Sequence, residues 1–140
     1  MACAYCVDPG DELVLFRPTG RFTETNFIAL CRAAYDDSRR RSHFAHVWDT
    51  RAIDELIMDA TVISMYRELL VEKADRVTEG KVAVIATRAL TRTFASMLIQ
   101  VSKDHPATFR LFGQVEAAAE WVGVSTSALI GMSERDWTKI

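Results

Sequence analysis

The stretch HVWDTRAIDELIMDAT, residues 46–61, holds the densest set of groups that could do chemistry. Asp49, Thr50 and Arg51 come in a row after an apolar run, and Asp54, Glu55 and Asp59 follow at short intervals. Carboxylates spaced this way could hold Mg²⁺ through oxygen, or serve a hydrolase as acid and base. No recognised ligand spacing supports the metal. Neither a nucleophile–base pair nor a glycine-rich phosphate loop accompanies the carboxylates. The plain expectation is that Asp49 bonds nearby backbone N–H groups, or Arg51, and pins a turn. The alternative is a binding or regulatory rim, since ligands gather beyond the carboxyl ends of parallel strands. That rim would also take Thr87-Arg88-Ala89 and Phe112-Gly113-Gln114.

Cys3 and Cys6 together with His43 and His46 have the composition of a zinc set. Both pairs sit in or beside expected strands, where positions i and i+3 point to opposite faces, so neither pair chelates easily. Packed thiols are expected, with no metal and no other cofactor. Arg39-Arg40-Arg41 follows a helix, where cations suit the dipole, and reads as a solvated connector balanced by Asp36 and Asp37.

These residues must be positioned by the surrounding elements. Ala2–Val7 and Leu13–Arg17 flank Asp8-Pro9-Gly10-Asp11, which is turn chemistry, so they predict an antiparallel hairpin. Thr23 can cap a helix with Phe27, Leu30, Cys31 and Ala34 on one face. Phe44–Thr50 is the next strand. A helix from about Asp59 to Asp75 follows, with Val62, Met65, Tyr66 and Leu69 as its stripe. KVAVIAT (81–87) reads as a strand covered on both faces. A third helix starts at Thr91 or Thr93 and stops at His105-Pro106. TFRLF (108–112) is a fifth strand, and VEAAAEWVG (115–123) a fourth helix closed by Gly123. The order predicts an α/β domain: a mainly parallel five-stranded sheet with an antiparallel N-terminal edge hairpin and four helices. The domain would span 1–123. A tail over 124–140 would pack on the body or a partner through Leu129, Ile130, Met132 and Trp137.

Several stretches, in this order, resemble the SpoIIAA-like family, relatives of the STAS domains that overlap in fold with CRAL-TRIO-type lipid carriers. They are Gly20-Arg21-Phe22-Thr23, Val47-Trp48-Asp49-Thr50-Arg51, Gly80-Lys81-Val82-Ala83-Val84-Ile85, and Phe109–Phe112 followed by Glu116–Val122. The likeness covers roughly residues 11–123 by pattern. It implies regulation through protein–protein contact, or binding of apolar ligands, and not catalysis. The STAS antagonists carry an Asp-Ser-Ser-Gly-like turn whose serine is phosphorylated. The comparable place here is Met58-Asp59-Ala60-Thr61-Val62, which lacks the glycine. A phosphate on Thr61 would suit a helix N-terminus, but Asp59 beside it opposes one, so Thr61 reads as a first-turn residue or cap.

Between Ile53 and Val71 there is more apolar surface than one helix stripe needs, including Ile57, Met58, Val62, Met65, Tyr66 and Leu69. One helix face can cover the sheet while the surplus meets a second copy, an apolar ligand, or a membrane surface. A net charge of −2 gives no global pull toward nucleic acid or anionic lipid, so no nucleic-acid partner and at most peripheral membrane contact are expected. The N-terminus has no basic flank or long apolar stretch, and three cysteines fit a reducing compartment, so a cytoplasmic location is expected. The resulting expectation is a non-catalytic regulatory or binding module acting through protein contact, dimeric through the second helix or the tail. Its rivals are a carrier or sensor of a lipid-like ligand held between the second and third helices and the sheet, and a hydrolase using carboxylates near Asp49.

Overall fold

In the computed structural model, which describes residues 3–130 and 137–139, alternation of apolar residues along each strand feeds two cores on either side of one sheet. The N-terminal hairpin forms as its turn chemistry requires. β1 (Ala4–Asp8) and β2 (Leu13–Arg17) pair antiparallel, with Asp8 Oδ1 accepting from the N–H groups of Gly10 and Asp11. β3 (Gly20–Thr23) leads into α1 (Glu24–Asp36). A reciprocal capping box between Thr23 and Asn26 fixes the start of α1, and its buried face is Phe27, Leu30, Cys31, Ala34 and Tyr35.

β4 (Ala45–Asp49), β5 (Ile53–Ile57) and α2 (Thr61–Glu72) follow, then β6 (Lys81–Ile85), α3 (Ala89–Val101) and β7 (Thr108–Phe112). The chain continues through α4 (Val115–Val122), α5 (Thr126–Ile130) and β8 (Thr138–Lys139). Gly123 closes α4 at φ 84°, a left-handed conformation that glycine takes without strain.

The architecture is α/β, but richer than the expected five strands and four helices. The main sheet has six strands in the order β7-β6-β4-β2-β1-β8 and is mixed: β2, β4, β6 and β7 run parallel, and β1 is antiparallel to both of its neighbours. A separate two-stranded parallel sheet joins β3 to β5, and the described residues contain five helices. The hairpin is therefore not the edge, because β8 pairs outside β1.

The largest correction falls on Ile53–Val71. It is not one over-apolar helix: Ile53–Ile57 is a strand whose partner is Gly20–Thr23, and only Thr61–Glu72 is helical. α2 also starts later and ends earlier than the expected 59–75, and α3 starts at Ala89 and ends four residues before His105. In the tail, Leu129 is fully buried and Trp137 packs on the same core; Met132 lies outside the described residues.

Candidate functional site

Period-two alternation sends Phe16, His46, Trp48, Val82, Val84 and Phe109 to one face of the sheet. Register places them side by side: Phe16 opposite Trp48, His46 opposite Val82, Trp48 opposite Val84, and Val82 opposite Phe109. Phe16 and Trp48 stack with ring centroids 3.9 Å apart and planes 3° from parallel. Phe27 of α1 leans on Trp48 at 5.3 Å and on Tyr66 of α2 at 5.6 Å. Large flat side chains do not fill space as closely as branched aliphatic ones, and here they leave a cavity of about 100 Å³. Its remaining walls come from α1, α2, β5 with Met58, and α3.

α3 is its loosest wall. Thr91 is the one buried side chain on that helix, while Phe94, Ala95, Leu98 and Ile99, which line the cavity, are only half-buried.

Most of the cavity's polar groups gather at one end, where His46, Thr78, Ser102, His105 and the hydroxyls of Tyr35 and Tyr66 meet, while Thr50 and Thr91 line it elsewhere. Behind them stands Arg40, 3% exposed. Its Nε–H donates to His46 Nε2 at 3.0 Å, one terminal nitrogen to Thr78 Oγ1 at 2.7 Å, and the other to the Arg76 carbonyl at 2.7 Å. Its guanidinium also lies over the Tyr35 ring, 4.8 Å from the centroid. Gly80 lets the chain pass close to the backbone entering β4: a Cβ there would sit 2.6 Å from the His43 carbonyl oxygen. Burial, then the Arg40 charge and the neighbouring His105, push the His46 pKa well below its ordinary value, so the ring is neutral at pH 7. Burial lowers His105 as well. Burial raises the phenols of Tyr35 and Tyr66 and the thiol of Cys31, so those groups stay protonated.

The expected rim divides. Asp49, 6% exposed, accepts both the Arg51 N–H at 3.2 Å and a two-point contact from the Arg51 guanidinium at 2.9 and 2.8 Å. Burial alone would raise this carboxyl, but Arg51's hydrogen bonds and charge hold it below the usual carboxylate range. With Arg17, Thr87, Gly113 and Gln114 the pair lines an open groove of about 660 Å³. Thr50 turns away: it lines the apolar cavity, and its hydroxyl donates to the Ile85 carbonyl at 2.7 Å. Arg88 leaves the rim too, donating to the Ile53 and Asp54 carbonyls. Asp59 and Thr61 are exposed at the start of α2, bonded to each other, with Thr61 Oγ1 2.5 Å from Asp59 Oδ1. Glu55 goes instead to Arg21 at 4.0 Å. Asp49, Glu55 and Asp59 therefore each serve a separate partner. Among the described residues, no three of His, Cys, Asp or Glu come together as metal donors. Cys3 and Cys6 belong to opposite cores, as alternation requires.

Of the expected apolar set, Met58 and Tyr66 line the cavity, while Val62 and Leu69 are core beneath α2. Met65 is half-buried, and Ile57 pairs with Thr23 in the small sheet. Arg40 and His105 were not anticipated. A charge run conceals the first, and a helix-stopping His-Pro the second. The available hint was His46 at an inward strand position, which needs a buried polar partner.

No family model and no curated protein matches the chain. Among solved structures, it is similar to an uncharacterised DUF3478-family protein with a SpoIIAA-like fold from Shewanella loihica PV-4. The identity is 16% over 79% of this chain and 83% of that one, with a TM-score of 0.50. The fold is thus SpoIIAA-like, as the residues led one to expect.

Proposed function

We propose that this domain is a binding module whose ligand is a small apolar molecule held between the sheet and helices α1, α2 and α3. The observation that carries the reading is the cavity itself: an aromatic-walled space with most of its polar groups gathered at one end. Filled cores do not leave such spaces without cost, since each lining atom forgoes contacts it could have made. An engineered apolar cavity of about 150 Å³ admits benzene, and at about 100 Å³ this one holds only a smaller body as it stands. A longer one would require α3 to move outward, and the shallow burial of that helix makes it the natural element to do so.

The reading through protein contact has less support. Among the described residues, the large apolar side chains that stand exposed are Val71 and Leu90, on different helices, and two isolated side chains do not make a docking face. Dimerisation through the tail is weakened similarly, because Leu129 is spent on this chain's own core. The hydrolase reading lacks a converging pair of carboxylates.

The test is direct. Trp48 lines the cavity, so toluene or hexan-1-ol added to the protein should change tryptophan emission saturably and raise the unfolding temperature. Absence of both changes, with every apolar probe tried, would remove the reading.

A further inference from the structure

Two groups at the polar end of the cavity, half-buried His105 and buried Arg40, each leave something uncompensated. The first is His105. The Ala107 N–H donates to its Nδ1 at 3.0 Å, so in the neutral ring the proton must sit on Nε2. That Nε2–H is buried and has no acceptor among the described residues. A buried donor left unpaired carries its whole desolvation cost, so native structures rarely keep one without a use.

The second is Arg40. It is buried with a full positive charge, and among the described residues no carboxylate lies within ion-pairing distance of it. Its hydrogen bonds all go to neutral acceptors: His46 Nε2, Thr78 Oγ1 and a backbone carbonyl. Accepting from Arg40 fixes His46 as the Nδ1–H tautomer, and that nitrogen lies 3.4 Å from Thr78 Oγ1. His46 and His105 lie close enough to act on each other electrostatically, and both line the cavity. The polar end is therefore rich in donors, positive from behind, and without an internal anion.

We infer that the ligand is an apolar acid: a compact hydrocarbon body seated among Phe16, Trp48 and Leu98, with a single carboxylate that accepts from His105 Nε2–H and faces the Arg40–His46 pair. This deepens the apolar-ligand reading above and rests on it. The carboxylate supplies the missing acceptor and the missing countercharge together. A neutral alcohol would satisfy only the first, and a hydrocarbon neither. An amine would place a cation against Arg40 and should be rejected.

The experiment titrates the full chain by calorimetry with four probes of matched size: hexanoate, hexan-1-ol, methyl hexanoate and hexylamine. Hexanoate should bind at least tenfold more tightly than the alcohol or the ester, and the amine should not bind measurably. His105→Phe should lower hexanoate affinity at least fivefold and hexan-1-ol affinity by distinctly less, because a neutral acceptor makes the weaker hydrogen bond. His105 is only half-buried, so this variant should fold. In the wild-type protein, the ¹⁵N resonance of His105 Nε2 should move further on adding hexanoate than on adding hexan-1-ol. If alcohol, ester and acid bind alike, the acid inference is overturned and the apolar-pocket reading survives. If none of them binds, both fall.

Discussion

The two faces of the main sheet are built from the same strands and packed to different standards. One residue sends Phe16, Trp48 and Val84 to the α1–α2–α3 side; the next sends Leu15, Val47 and Ala83 to the side of α4 and α5. On the second side small and branched side chains meet Ala118, Ala119 and Leu129, all 0–1% exposed, and the layers close. On the first, rings lean on rings and a cavity opens under a half-buried helix. A pleated sheet can thus divide its work by parity. The aliphatic face supplies cohesion, and the aromatic face is free to be imperfect where a ligand must enter.

The largest effect should come from the closed face. Leu15 is fully buried, so Leu15→Ala removes its transfer energy and opens a void in a layer with little room to collapse. A loss of about 3 kcal/mol is expected from the midpoint of urea unfolding. A loss below about 1 kcal/mol would mean that this face is no tighter than the other.

The open face should instead reveal itself through acid. His46 and His105 are held below their ordinary pKa by burial, so the folded protein resists protons that the unfolded chain accepts. Their contribution is complete above about pH 6.5 and is lost as pH falls below it, by up to about 1.4 kcal/mol per pH unit for the buried His46 and by less for the half-exposed His105. Urea midpoints at pH 7.5, 6.5 and 5.5 should decline over the lower interval, and the decline should shrink in His46→Gln. A flat profile would place neither ring in a desolvated site.

A smaller effect belongs to the rim between these faces. Asp49→Asn loses the charge in a two-point contact with Arg51, and the partner's partial exposure discounts the loss. About 1 kcal/mol is expected, and the wild-type protein should approach the variant as salt is raised. If Asp49→Asn equals Leu15→Ala in cost, the carboxylate is supporting more than its own turn.

How much of this was legible beforehand follows the range of the forces involved. The hairpin, the Thr23 cap and Gly123 rest on neighbours within a few residues, and local chemistry betrays them. β5 was misread because Ile53, Leu56 and Ile57 satisfy helical spacing as well as they suit a short strand, and its partner lies some thirty residues away. β3 is four residues long, below what periodicity resolves. Asp49 with Arg51 could be foreseen, since two residues separate them. Arg40 could not: a triple arginine reads as solvated, and only folding brings His46, Thr78 and Arg76 around the middle one.

The sharpest comparison uses one alanine from each of the two layers. Ala95 faces the cavity from α3, and Ala118 faces the closed core from α4. Three added carbons at Ala118 have nowhere to go, so Ala118→Leu should cost about 1–3 kcal/mol through displaced neighbours. The same carbons at Ala95 enter existing space and bury apolar area without strain. Ala95→Leu should leave stability within about 0.5 kcal/mol of wild type, or raise it by up to about 1. Binding of hexan-1-ol should fall at least tenfold in that variant, because the side chain takes the volume the probe needs. If Ala95→Leu proved as costly as Ala118→Leu, the cavity would have to be closed in solution, and the two faces would be packed alike.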